Sequence, residues 1–144
     1  AARVVRLFGF DPKVAFVSHS TFGQPVTSRT RHIKKAVDIL KEKNVDFEFD
    51  GDMQPDVALN KDYKNLYPFS KIVGNANILI MPGQHSAAIS YKMMKELGDT
   101  KVIGPLLVGL GLPIEIAPLR TSTSELINLA SIAAYSADVI DYKK

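Results

Sequence analysis

The stretch from Asn77 to Gly109, NILIMPGQHSAAISYKMMKELGDTKVIGPLLVG, contains a short apolar run, a turn, an amphipathic segment and a second apolar run. The first run, Ile78 to Met81, is too short for a helix, and the following Pro82-Gly83 cannot continue it. This pattern predicts a central strand of a parallel sheet that ends in a loop.

The segment after this turn has the periodicity of a helix. Its apolar residues recur every four positions, at Ile89, Met93 and Leu97. Gly98 can end that helix, and the second apolar run then predicts the next strand of a βαβ unit. Because ligands of open sheets bind at the loops after the strands, Pro82 to Ser86 and Gly104 to Gly109 are candidate binding loops.

Strands and helices alternate along the rest of the chain. The pattern predicts helices at Ala1 to Phe10, from Ser28 to Asn44, from Val57 onward, and after Ser122, which has capping-box spacing to Glu125. It predicts strands at Val14 to Val17, around Phe47 and Phe49, and at Ile114 to Ala117. This alternation is typical of a three-layer α/β/α unit with a mainly parallel sheet.

The composition describes one compact domain. The 144 residues are 46% hydrophobic and 23% charged, which allows a sizeable buried core. A net charge of +3 is too balanced to argue for nucleic acid, and no apolar run reaches the roughly 18 residues that span a membrane. With no cysteine and no signal peptide, we expect a cytoplasmic protein; the missing initial Met suggests a piece of a longer chain.

Several polar clusters have a functional and an ordinary interpretation. The loop Ser18 to Gly23 can cradle a phosphate or an acyl carbonyl, or it is a polar turn. The run Arg29 to Lys35 is a solvated helix face, or a patch that binds polyphosphate or nucleic acid. The aspartates near residue 50 either hold a divalent ion or form an acidic loop, namely Asp50, Asp52 and Asp56. Lys92, beside Tyr91, either reaches a ligand phosphate or remains solvated.

Five segments, taken in order, resemble the phosphate acetyl/butyryltransferases, and more closely their relatives fused to NADP-dependent malic enzymes. They are VAFVSHSTFG, DGDMQPDVALN, ANILIMPGQHSAAISYKMMKEL, VIGPLLVGL and ELINLASIAA. The resemblance covers nearly all of residues 1–144 but only the C-terminal portion of the family's length. It implies the phosphotransacetylase fold, which is similar to that of isocitrate and isopropylmalate dehydrogenases.

The resemblance also implies a ligand. Family members bind coenzyme A in a cleft between two α/β domains and transfer acetyl between its thiol and phosphate without a metal. It places the coenzyme near Tyr91, Lys92 and the Gly104-Pro105 loop. It places three hydroxyl residues in the loop that faces the cleft, namely Ser18, Ser20 and Thr21.

The turn before the last helix departs from the family. Active members have a Ser-Arg-Gly turn that holds phosphate, followed by an aspartate. Aligned without a gap, Pro118 and Leu119 replace the serine and arginine; with a one-residue gap, Arg120 takes the arginine's place but Leu119 still replaces the serine. We therefore assign Arg120 to coenzyme binding and no residue to catalysis.

These features predict a domain that binds acetyl-CoA in a regulatory role, with an upstream malic-enzyme domain in the parent chain. An active phosphate acetyltransferase is the alternative, with phosphate as a second ligand. We expect no membrane, nucleic-acid or metal partner. The last helix is apolar from Leu126 to Ala134, which predicts burial in the core or in a homo-oligomer interface.

Overall fold

The computed structural model describes residues 1–98 and 100–139. The chain divides into two compact units, one formed by Ala1–Ser90 and one that begins at Tyr91. The helices are α1 (Ala2–Leu7), α2 (Ser28–Glu42), α3 (Pro55–Leu59), α4 (Lys61–Lys64), α5 (Gln84–Leu97) and α6 (Thr123–Val139). Among the described residues, no helix has the length and hydrophobicity that crossing a bilayer requires.

The first unit contains a three-stranded parallel sheet. Its strands are β1 (Lys13–Val17), β2 (Glu48–Met53) and β3 (Ile78–Ile80), in the order β2-β1-β3. The predicted α/β class with a parallel sheet is confirmed. The prediction that the Ile78 strand is central is wrong within this sheet, because β1 has both neighbours. Three of the five residues of β1 are buried, as expected of a strand enclosed on both sides.

Strand β2 is present but starts later than the aromatic alternation predicts. Its most buried residues are Asp50, Asp52 and Met53, whereas Phe49 is only partly buried. The register with β1 shifts between Phe16 and Val17, where β2 supplies one extra residue. Two acidic side chains are therefore buried where a simple alternation places polar groups in solvent.

The core of the first unit lies between the sheet and α3. Its buried residues are Ala15, Met53, Val57, Ala58, Ile72 and Ala76, with Phe22, Tyr67 and Leu79 packed against them. The segment before β3 is tied to this core by its backbone, since Ala76 N donates to Ala58 O at 2.8 Å. Asn77 N donates to Lys13 O at 3.0 Å, and Lys13 N donates to Asn77 Oδ1 at 2.7 Å.

The helix ends follow local chemistry. Thr27, rather than Ser28, caps α2, because Thr27 and Thr30 form a reciprocal capping box. The predicted capping box of α6 is confirmed: Glu125 N donates to Ser122 Oγ at 3.3 Å, and Ser122 N donates to Glu125 Oε2 at 2.7 Å. The single helix predicted from Val57 is instead the pair α3 and α4.

In the second unit, the apolar segments 102–108 and 114–117 are not strands. A strand needs a backbone partner, and no described segment pairs with either. Helix α6 buries only Leu129 and Ser136, so it is not enclosed in the core of this chain, and its burial in an interface stays a prediction. The predicted stripe on α5 is likewise exposed, since none of its described side chains is buried.

Candidate functional site

The loops that follow β1 and β3 begin at the same edge of the sheet. Strand β1 is followed by Ser18–Gly23 and β3 by residues 81–83. The two strands are parallel neighbours, and the strand order reverses at β1, since β2 lies on one side and β3 on the other. Open α/β sheets bind ligands at such a switch point. This edge of the first unit is therefore a candidate binding position.

The Ser18–Gly23 loop closes on the carboxylate of Asp52. Ser20 is fully buried, and its hydroxyl donates to Asp52 Oδ2. Gly23 N donates to Asp52 Oδ1 at 3.0 Å, and Phe22 N donates to Asp52 O at 2.6 Å. Ser18 is also buried, with its Oγ 3.3 Å from Ser20 Oγ. The loop hydroxyls that the sequence singles out are thus engaged inside the protein.

Thr21 connects this loop to β2 and α3. Its N and O each form a 3.1 Å hydrogen bond with the backbone of Gln24, and its Oγ1 accepts from Gln54 N at 3.2 Å. Gln54 Nε2 donates to the carbonyl of His19 at 2.9 Å, whereas the His19 side chain is exposed. Of the polar side chains in the loop, the imidazole is the one that solvent reaches.

The aspartates near residue 50 accept hydrogen bonds from backbone N–H groups. Asp50 accepts from Gly51 N at 2.9 Å and from Lys71 N at 2.7 Å, and Asp56 accepts from Val57 N at 2.9 Å. Within residues 1–98 and 100–139, no three His, Asp or Glu side chains converge as a metal site would require. Sequence reasoning missed the anchoring role of Asp52, because its partners Ser20 and Gly23 lie about thirty residues away.

The second unit contains a pocket of about 110 Å³. It is lined by Lys95, Val102, Ile103, Gly104, Pro118, Arg120, Thr121, Glu125 and Leu129. The structure therefore brings together two of the predicted site residues, Gly104 and Arg120. Gly104 has φ +137°, a conformation that suits glycine, and a Cβ there would approach Leu106 N to 3.2 Å. Pro105 follows Gly104 across a cis peptide bond and is not part of the wall.

An ion pair lies in the wall of this pocket. Lys95 Nζ is 2.9 Å from Glu125 Oε1, and Ser122 Oγ donates to Glu125 Oε2 at 2.8 Å. The donated hydrogen bonds from Lys95, and then from Ser122, lower the pKa of Glu125 from 4.5 to about 2. The hydrogen bond to Glu125 in turn raises the pKa of Lys95. Sequence reasoning identified Glu125 as a cap and did not identify its pairing with Lys95.

The remaining predicted residues lie outside this wall. Tyr91 and Lys92 are exposed on α5 and do not line the pocket. Lys92 and Arg120 have no hydrogen bond or ion pair with any residue that the structure describes. Both cations are available to an anion from solution.

The turn before α6 presents Leu119 entirely to solvent. Thr121 N donates to Pro118 O at 3.0 Å, which closes this turn. The position next to Arg120 is therefore an exposed aliphatic side chain, which offers no hydrogen bond to a bound anion.

The sequence matches to known proteins cover nearly the whole chain. The phosphate acetyl/butaryl transferase family model matches residues 1–134. The NADP-dependent malic enzyme of Rhizobium meliloti (strain 1021) is 50% identical over 137 residues, which are 95% of this chain and 18% of that protein. The phosphate acetyltransferase of Bacillus subtilis (strain 168) is 33% identical over 138 residues, which are 95% of this chain and 43% of that protein.

Solved structures agree with these sequence matches. A phosphotransacetylase from Streptococcus pyogenes superposes with a TM-score of 0.87 at 32% identity, covering 95% of this chain and 42% of that one. The chain thus spans less than half the length of each of these relatives. Since the family model covers nearly the whole chain, the chain belongs to the phosphate acetyl/butaryl transferase family.

Proposed function

We propose that this chain is the phosphotransacetylase-like domain of an NADP-dependent malic enzyme, and that it binds acetyl-CoA in a regulatory role with acyl transfer weak or lost. The similarity to malic enzymes supports the first part, because the Rhizobium meliloti enzyme is 50% identical over 95% of the chain. In that arrangement a malic-enzyme domain precedes this one and receives the signal that acetyl-CoA is bound.

The observation that carries the second part is the turn before α6. Acyl transfer needs phosphate and a thiolate held in line, and donors that stabilise the developing charge. Leu119 is fully exposed in that turn and supplies neither a donor nor a charge. Arg120 keeps a cation in the neighbouring pocket wall, where its guanidinium can donate charge-assisted hydrogen bonds to an anion.

Binding of acetyl-CoA needs cations for its phosphates. Lys92 and Arg120 are exposed cations without an intramolecular partner in the described residues, and the Gly104-Pro105 loop lies beside the Arg120 pocket. Loop Ser18–Gly23 follows the central strand at the edge where α/β sheets take ligands. Because Ser20 Oγ donates to Asp52, Thr21 Oγ1 accepts from Gln54 N and Ser18 Oγ lies beside Ser20 Oγ, we assign the contribution of this loop to its backbone shape and its exposed groups.

Calorimetry with acetyl-CoA and an acetyl phosphate assay on the intact protein test this proposal. We expect acetyl-CoA binding without substantial formation of acetyl phosphate. Lys92→Ala should weaken binding by roughly 1 to 2 kcal/mol, the range for losing a charged hydrogen bond. Lys43→Ala is a matched control, since it removes an exposed cation at the C-terminal end of α2, outside the Arg29 to Lys35 run, and should leave the affinity unchanged. Absence of acetyl-CoA binding would refute the proposal.

The alternative is an active phosphate acetyltransferase that moves acetyl between coenzyme A and phosphate. Its support is the Bacillus subtilis phosphate acetyltransferase, which is 33% identical over 95% of this chain. Arg120 in the pocket wall is compatible with it, if that residue takes the place of the family's arginine. Rapid formation of acetyl phosphate, abolished by Arg120→Ala, would favour this alternative.

We also propose that the intact protein is a homo-oligomer. Helix α6 leaves Leu126, Ile127 and Tyr135 exposed, and α5 leaves Met93 and Leu97 exposed. Apolar surface of this extent is common at subunit interfaces. Sedimentation at micromolar concentration tests this, and a strict monomer would contradict it.

A further inference from the structure

The wall of the second-unit pocket includes a carboxylate, that of Glu125. Of its three charged wall residues, Lys95 and Arg120 are cations and Glu125 is a carboxylate. Lys95 Nζ forms an ion pair with Glu125 Oε1 at 2.9 Å, whereas Arg120 has no partner in the described residues. Among the residues that the structure describes, the pocket wall therefore has one cation without a partner, Arg120, and one that is paired with a carboxylate, Lys95.

We propose that Glu125 is an internal competitor that limits the affinity of this pocket for a phosphate group, an inference that rests on the proposed function. A phosphate that enters beside Arg120 also meets the negative charge of Glu125. The phosphate can bind the Lys95 ammonium only if that group leaves the Glu125 carboxylate. The charge of Glu125 thus raises the phosphate concentration that is needed to occupy the pocket.

The exchange of Lys95 between two anions is feasible because the ion pair is partly exposed to solvent. The side chains of Lys95 and Glu125 are 46% and 27% exposed, and exposed ion pairs contribute little to stability. Glu125 also has other partners to keep, since Ser122 N and Ser122 Oγ donate to its Oε2 at 2.7 and 2.8 Å. The carboxylate can therefore remain on its cap while Lys95 moves to a ligand.

A four-protein cycle tests this role: the intact wild type, Glu125→Gln, Lys95→Met and the double variant, each titrated calorimetrically with inorganic phosphate at low ionic strength. Glutamine retains the capping-box geometry and removes the charge. We expect Glu125→Gln to bind phosphate about tenfold more tightly, because one repulsive charge near the anion is gone. Lys95→Met should bind more weakly, and the double variant should return close to the wild type.

The opposite signs of the two single variants distinguish competition from a structural role. If Glu125 only maintained the fold, both variants would bind phosphate more weakly, and that result would overturn the inference. Glu96→Gln is the matched control, since it neutralises an exposed neighbour of Lys95 outside the pocket wall, and it should change the affinity less than twofold. If Glu125→Gln does not fold, Lys95→Met still tests the inference, because binding equal to the wild type would refute the competition.

The same cycle with acetyl-CoA identifies the source of the phosphate group. If the pocket holds a phosphate of the coenzyme, the four proteins rank in the same order with acetyl-CoA; if it holds free phosphate, only inorganic phosphate reproduces that order. If neither ligand does, the inference is wrong. Wild-type binding of acetyl-CoA, measured in the same samples, reports separately on the proposed function.

Discussion

The carboxylate of Asp52 organises the loop that follows the central strand, and removing it should destabilise the first unit substantially. Asp52 is 2% exposed and accepts hydrogen bonds from Ser20 Oγ and Gly23 N. Asp52→Ala leaves both donors without their partner. Each donor left unpaired costs about 1–3 kcal/mol, so we expect the two together to cost about 2–6 kcal/mol. That is a large fraction of the roughly 5–15 kcal/mol that stabilises a typical domain.

Urea unfolding followed by circular dichroism measures this loss, provided that the free energy of unfolding depends on urea concentration with the same slope in the variant and the wild type. Ser20→Ala removes only one donor and should cost about 1–3 kcal/mol. The Ser20→Ala/Asp52→Ala double variant should cost less than the sum of the two single variants by about 0.5–3 kcal/mol, since the residues share one hydrogen bond.

Asp46→Ala is the control, because that aspartate is exposed and its ion pair with Arg6 lies at the surface. It should leave the free energy of unfolding nearly unchanged. If Asp52→Ala is as stable as this control, or if the double variant is strictly additive, the hydrogen bonds to Asp52 do not hold the loop and the argument fails.

Two further predictions concern backbone space and pH. Gly51→Ala should destabilise by about 3 kcal/mol or more, because φ is +149° and the new Cβ would lie 2.7 Å from Phe16 Cβ and O; thermal unfolding should show no comparable loss for Gly111→Ala, where nothing lies within 4 Å. Glu125 has its pKa lowered from 4.5 to about 2, so its stabilising contribution is complete above pH 4.5 and disappears as the pH falls towards 2. The difference in Tm between the wild type and Glu125→Gln should shrink over that range, and a constant difference would contradict this.

The sequence alone predicted features that depend on residues close together in the chain. The strand after Asp11-Pro12, the helix from Ser28 and the capping box of Ser122 and Glu125 all appear in the structure, because each depends on neighbours within a few residues. The quoted segments likewise predicted the family and the α/β class, since hydrophobic periodicity and loop residues are properties of contiguous stretches.

Only the tertiary structure decided which strand is central, which apolar runs pair, and what the polar residues contact. Segments 102–108 and 114–117 have the composition of strands but have no pairing partner in the described residues. Asp52 is a candidate metal ligand by its sequence, yet it accepts hydrogen bonds from Ser20 and Gly23. Glu125 is predicted as a helix cap, and the fold also pairs it with Lys95, thirty positions away. These outcomes depend on which distant groups the fold brings within hydrogen-bonding distance, and that proximity is not encoded in any local pattern.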